Sequence, residues 1–159
     1  MASSGDEDAT RRAVIPQFII TRTVDAPRAA VWQLWTDPEE LSYWFHPGGM
    51  STPRDSISVD LRVGGRYRYT MVDDETGERH PIGGVYLDVS EPERLVFTWG
   101  DPGEQAAEAP VITVTLADRG EQTELSLHVR GLAGRPGARG AYDGWDEALS
   151  ALVDRRATR

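Results

Sequence analysis

One amphipathic helix, standing alone after a long run of strand patterns, is the feature that most constrains how this chain can fold. Tyr142, Trp145, Leu149, Leu152 and Val153 share one helical face, and Asp143, Glu147, Ser150 and Asp154 share the other. Such an apolar stripe must be buried, and the only large partner in the chain is a sheet.

The strands come in consecutive order. Gln17–Val24 is β-branched and reads as the first. Asp25-Ala26-Pro27 then opens a helix, with Asp25 as the expected cap and Val31, Leu34 and Trp35 on one face. Thr36-Asp37-Pro38 breaks it and starts a second short helix bearing Leu41, Trp44 and Phe45, which ends in the loop His46-Pro47-Gly48-Gly49. Ile57, Val59 and Leu61 alternate with Ser58, Asp60 and Arg62, and Gly64-Gly65 marks a bend. Tyr67, Tyr69 and Met71 alternate with Arg66, Arg68 and Thr70, up to a hairpin tip at Asp73–Glu78. Val85–Val89 is a further strand. Leu95, Phe97 and Trp99 alternate with Val96 and Thr98, and Gly100–Pro110 is a polar loop. Val111–Ala117 and Thr123–Arg130 form a last hairpin, and Gly131–Gly140 is a Gly-rich linker before the helix, the expected gate of any pocket. Clustered strands argue for an α+β fold. A curved antiparallel sheet of about six to seven strands, with two short helices, would wrap the C-terminal helix around an apolar cavity. Residues 1–13 read as a disordered tail and 14–159 as a single domain.

Composition narrows the function. With 17 basic and 26 acidic residues the net charge is −9, which disfavours nucleic acid, since phosphate binding needs a basic surface. The basic residues are all Arg, so Schiff-base and P-loop lysine chemistry is excluded. No Cys occurs, which excludes disulfides, thiolate metal sites and thiol nucleophiles. No apolar run is long enough to span a membrane, and residues 1–10 lack a signal peptide's apolar region, so a cytoplasmic protein is expected.

Five Trp and five Tyr are a generous aromatic supply. Each side chain taken singly is expected to fill the core. A cavity is the alternative for Trp44, Phe45, Tyr67, Tyr69, Met71, Trp99, Trp145 and Leu149. There Tyr hydroxyls and Trp N–H groups would orient a polar ligand atom. His46, His80 and His128 have no metal-ligand spacing, and no metal or cofactor is expected. His46 sits where a pocket mouth could be, or is a plain loop residue. Asp60 and Arg62 share a strand face, as an inward ion pair or in water. The acidic tip Asp73–Glu78 lacks a calcium-loop pattern, and Gly134, Gly137 and Gly140 match no phosphate-loop spacing. No residue set amounts to a catalytic signature.

The ordered motifs do resemble a family. They run from Val24-Asp25-Ala26-Pro27 and Trp35-Thr36-Asp37-Pro38 through Leu41–Phe45, Asp60–Gly65 and Tyr67–Met71. Gly84–Val89, Pro92 with Arg94-Leu95, Thr98-Trp99, Thr123–Leu125 and Gly144-Trp145 with Leu149 and Leu152 complete the set. Together these are similar to the heat-shock-chaperone ATPase activator homologues of the START-like, helix-grip superfamily (SRPBCC), over about residues 17 to 155. The resemblance implies a helix-grip fold with a deep hydrophobic cavity under the C-terminal helix. It leaves three functions open. One is binding of a small hydrophobic or aromatic ligand. A second is a protein-interaction module or co-chaperone that stimulates a chaperone ATPase. The third is a cyclase, hydratase or hydrolase using His46, Asp60 or Arg62. A monomer or homodimer is expected.

Overall fold

The computed structural model describes residues 17–134 and 138–157. The tail expected over residues 1–13 and part of the Gly-rich linker lie outside them.

Eight strands form one antiparallel sheet in the order β1-β8-β7-β6-β5-β4-β2, with β3 pairing on β4. Six carry the sheet: β1 (Gln17–Val24), β4 (Arg66–Asp73), β5 (Arg79–Ser90), β6 (Arg94–Thr98), β7 (Val111–Arg119) and β8 (Gln122–Arg130). β2 (Met50–Ser51) and β3 (Ser58–Val59) are two-residue pairings on β4. The period-two pattern sets what each strand buries. In β1, Phe18, Ile20 and Val24 face inward, opposite Val129, Leu127 and Thr123 of β8. Three helices complete the fold: α1 (Arg28–Thr36), α2 (Pro38–Trp44) and α3 (Ala141–Ala157). None among the described residues is long and apolar enough to cross a membrane.

The sheet curls around α3, and α1 and α2 close the end. An aromatic cluster fills the space between. Trp35 meets Trp44 edge-on at 4.6 Å and stacks on Trp145 at 6.3 Å, while Tyr67 meets Phe97 edge-on at 5.3 Å. Each such side chain removes about 150–250 Å² from water. Trp44 is fully buried, and its indole N–H donates to the Leu34 carbonyl at 2.8 Å, which locks α2 onto the end of α1. The Tyr67 hydroxyl donates to the Thr98 carbonyl at 2.6 Å. Burial pushes its phenol pKa well up, with neighbouring Tyr69 and Tyr86 adding to the effect.

Helix α3 is fastened along its length. Arg22 of β1 pairs with Asp146. Near its C-terminal end, Arg155 reaches the buried Glu40 of α2 at 3.3 Å and lies 3.8 Å over the Tyr43 ring.

Several local expectations need correction. Asp25 does not cap α1: Pro27 occupies the N-cap without a side-chain bond. The approach to α1 is held instead by buried Thr123, whose hydroxyl donates to the Ala26 carbonyl at 2.7 Å. The strand expected over Ile57–Arg62 shrinks to Ser58–Val59. Beyond Val59 the chain coils through backbone bonds from Arg62 N to Asp60 O and from Gly65 N to Arg62 O, with Gly64 at φ +84°. Leu61 is therefore exposed. In β6 both faces are buried, Val96 and Thr98 as well as Leu95 and Phe97, and the Thr98 hydroxyl accepts the Val85 N–H of β5 at 2.8 Å. Tyr142 is 37% exposed and meets the core in an edge contact with Phe18. The Asp73–Glu78 tip, by contrast, is the hairpin turn expected, in which one Asp73 carboxylate oxygen accepts the N–H groups of Thr76 and Glu75, holding its carboxyl pKa below the usual value.

Candidate functional site

A cavity of about 320 Å³ opens between the N-terminal half of α3, strand β4 and the loop after α2. Phe45, His46 and Pro47 come from the loop, Tyr69 and Met71 from β4, and Trp99 from the residue just past β6. Gly140, Ala141, Gly144, Trp145 and Ala148 form the helical wall. Their spacing explains why the space exists. Ala141, Gly144 and Ala148 recur at helical intervals around Trp145, so α3 carries little side-chain volume beside that ring. The same stripe turns large at Leu149 and Leu152, where the helix is packed solid. Deeper in, only about 10 Å³ remains between Trp35, Leu41, Phe45, Tyr67, Tyr86, Leu95 and Phe97, no more than a single water requires. The larger open space thus lies at one end of α3.

Its wall is aromatic and continuous. Phe45 lies 4.6 Å from Tyr69 and 5.7 Å from Trp145, and Trp99 meets Trp145 edge-on at 5.5 Å. The Trp99 indole N–H donates to the Tyr69 hydroxyl at 3.1 Å. Burial raises the Tyr69 phenol pKa far above its ordinary value, and the Trp99 bond offsets only part of that rise, so the hydroxyl keeps its proton. The Trp145 indole N–H is buried with no acceptor among the described residues. At the mouth, His46 Nδ1 lies 3.2 Å from the Pro47 carbonyl. A carbonyl can only accept, so this contact is a hydrogen bond when the proton sits on Nδ1.

Of the eight side chains singled out from sequence, Phe45, Tyr69, Met71, Trp99 and Trp145 line this cavity. Trp44, Tyr67 and Leu149 do not: they are core residues, with the Trp44 and Tyr67 polar groups spent on backbone carbonyls. His46 lines the mouth. Asp60 and Arg62 instead pair with each other at 2.9 Å, exposed, on the coil after β3. Sequence reasoning missed Pro47 and the small residues of α3. The regular spacing of Ala141, Gly144 and Ala148 was the signal that could have found them.

A curled antiparallel sheet gripping a C-terminal helix beside an apolar cavity defines a helix-grip protein. Within that class, this chain belongs to the family described as Activator of Hsp90 ATPase homolog 1-like protein, which matches residues 25–155. No curated protein matches it by sequence. Protein CV1439 from Chromobacterium violaceum is 27% identical with a TM-score of 0.75, over 88% of this chain and 96% of that one. Protein NE0264 from Nitrosomonas europaea is 26% identical with a TM-score of 0.73, over 87% and 92%. The AHSA1 protein from Silicibacter pomeroyi, 23% identical with a TM-score of 0.75 over 89% and 98%, shares the fold.

Proposed function

We propose that this protein binds a small apolar or aromatic molecule between α3, β4 and the loop after α2. The observation that carries this reading is the cavity itself: about 320 Å³ walled by aromatic rings and by small residues on one helix face. That volume falls at the lower end of the range of small-molecule sites. Closing it would need only larger side chains at Ala141, Gly144 and Ala148.

Titration with the uncharged fluorescent probe N-phenyl-1-naphthylamine tests the reading. Saturable enhancement is expected for the natural chain and its loss in Ala148→Leu, with far-UV circular dichroism unchanged. Enhancement that never saturates, or that survives in Ala148→Leu, rejects it.

Family membership favours a second reading, in which the protein stimulates a chaperone ATPase. The ATPase rate of an Hsp90-type chaperone with and without this protein checks it. No change in rate, with no complex on gel filtration, removes the reading.

A further inference from the structure

We infer that the cavity selects an uncharged ligand carrying a carbonyl-type oxygen, held by the hydroxyl of Tyr69. The inference rests on the small-molecule reading above and adds the chemical class of the ligand.

It comes from counting which hydrogen-bonding groups of the cavity wall are already spent. The Tyr69 hydroxyl accepts from Trp99, and this fixes its place beside the indole. Its own proton has no acceptor among the described residues. Burial keeps that proton on the oxygen. The Trp145 N–H is also unmatched, as is the Trp35 N–H of the core, but both are buried from any space a water could enter. A hydroxyl offers one donor and a tryptophan only a donor. The unspent capacity of the Tyr69–Trp99 pair is therefore one donor, the Tyr69 O–H, and the further polar side chain on the lining is the His46 ring at the mouth. Buried donors without partners are unfavourable, so a ligand that supplies an acceptor gains over one that fills the same space without it.

Charge then restricts the acceptor. No Arg, Asp or Glu lines the cavity among the described residues. A carboxylate placed there would lose its hydration with no arginine among the described lining residues to offset the loss. An ammonium would meet no carboxylate on the described lining, and Glu147 at the mouth is engaged by the Gly48 N–H. A ketone, ester, amide or quinone oxygen carries the acceptor without that penalty.

Three probes of nearly equal shape test this: 2-acetonaphthone, its hydrocarbon isostere 2-isopropenylnaphthalene, and 2-naphthoate. Affinities are measured calorimetrically on the full chain, and the Trp indole N–H resonances are followed by NMR. The ketone is expected to bind about three- to tenfold more tightly than the hydrocarbon, the yield of one net hydrogen bond. Naphthoate should be weakest. Tyr69→Phe should bring the ketone down to the hydrocarbon's affinity and leave the hydrocarbon unchanged. Equal affinities in the natural chain, a ketone preference that survives Tyr69→Phe, or tightest binding by naphthoate overturns the inference while the ligand-binding reading stands. Failure of all three probes to bind removes both. The ketone-to-hydrocarbon ratio in the natural chain needs no variant, so it decides the matter even if Tyr69→Phe folds poorly.

Discussion

The Glu147 carboxylate accepts the backbone N–H of Gly48 at 2.8 Å, across 99 positions of sequence. That bond ties the loop bearing His46 and Pro47 to the helix that forms the opposite cavity wall. On its other side the loop is held by the backbone bond from Asp74 N to Gly49 O and by the Thr52 hydroxyl donating to the Phe45 carbonyl at 3.0 Å. The Glu147 bond is therefore the fastening across the mouth.

Glu147→Ala should loosen the mouth without unfolding the protein. The bond is solvent-exposed, so the effect is modest. Exchange of the Gly48 amide should quicken by roughly three- to tenfold, with Glu147→Gln in between. Hydrogen exchange followed by NMR reads this residue by residue. Unchanged Gly48 exchange in Glu147→Ala would show that the other two anchors suffice.

Trp44 separates core from cavity. It is fully buried and its N–H is spent on Leu34, whereas Trp99 is only partly buried on the cavity wall. Trp44→Ala should cost about 3–5 kcal/mol. Trp44→Phe should cost about 1–3 kcal/mol, since it leaves the Leu34 carbonyl without its donor. Trp99→Ala should cost less than Trp44→Ala. Urea midpoints measured on the three variants check the order, and a larger loss at Trp99 would mean that the wall, not the α1–α2 junction, carries the stability.

The general architecture was legible from periodicity, because β1, β4 and β8 bury one face and the rule of two then fixes the inward residues. Alternation failed at Ile57–Arg62, where coiling around Gly64 outweighs the strand pattern and turns Leu61 and the Asp60–Arg62 pair to solvent. It also failed in β6, where Val96 and Thr98 are buried along with Leu95 and Phe97. The site was half legible. Aromatic residues announce themselves, but a cavity is made by what is missing, and glycine and alanine on α3 say this only once the helix has been placed against β4. The Gly48–Glu147 bond joins residues 99 apart and has no local sequence signature.

Alkaline pH should unfold the protein through its buried phenols. Tyr67, Tyr69 and Tyr86 all have pKa values raised above the ordinary 10.0, mainly by burial. The folded state therefore holds these protons after the unfolded chain has begun to release them. Their contribution to stability is complete below pH 10 and falls as pH rises toward the folded values. Absorbance at 295 nm should report these three phenolates only together with the loss of far-UV ellipticity. Ionisation of all five tyrosines with the fold intact would contradict the burial argument.

Gly144 offers a change in which stability and binding should move in opposite directions. It lies in the first turn of α3, and a Cβ added there would meet only the Pro47 Cβ, at 3.7 Å, an ordinary contact. Gly144→Ala should thus stabilise the helix by about 0.5–1 kcal/mol, through the lower backbone entropy of the unfolded chain. For a chain of this size that raises Tm by roughly 2–4 °C per kcal/mol. The new methyl also sits on the cavity wall beside Pro47, where it takes space from a ligand. N-phenyl-1-naphthylamine should therefore bind more weakly to a protein that melts higher. A calorimetric scan and a probe titration on the same sample read both effects. If Tm rises and affinity is unchanged, the ligand does not use the Gly144–Pro47 end of the cavity. If Tm falls, the contact with Pro47 is tighter than 3.7 Å implies, and the loop and helix are already in full contact there.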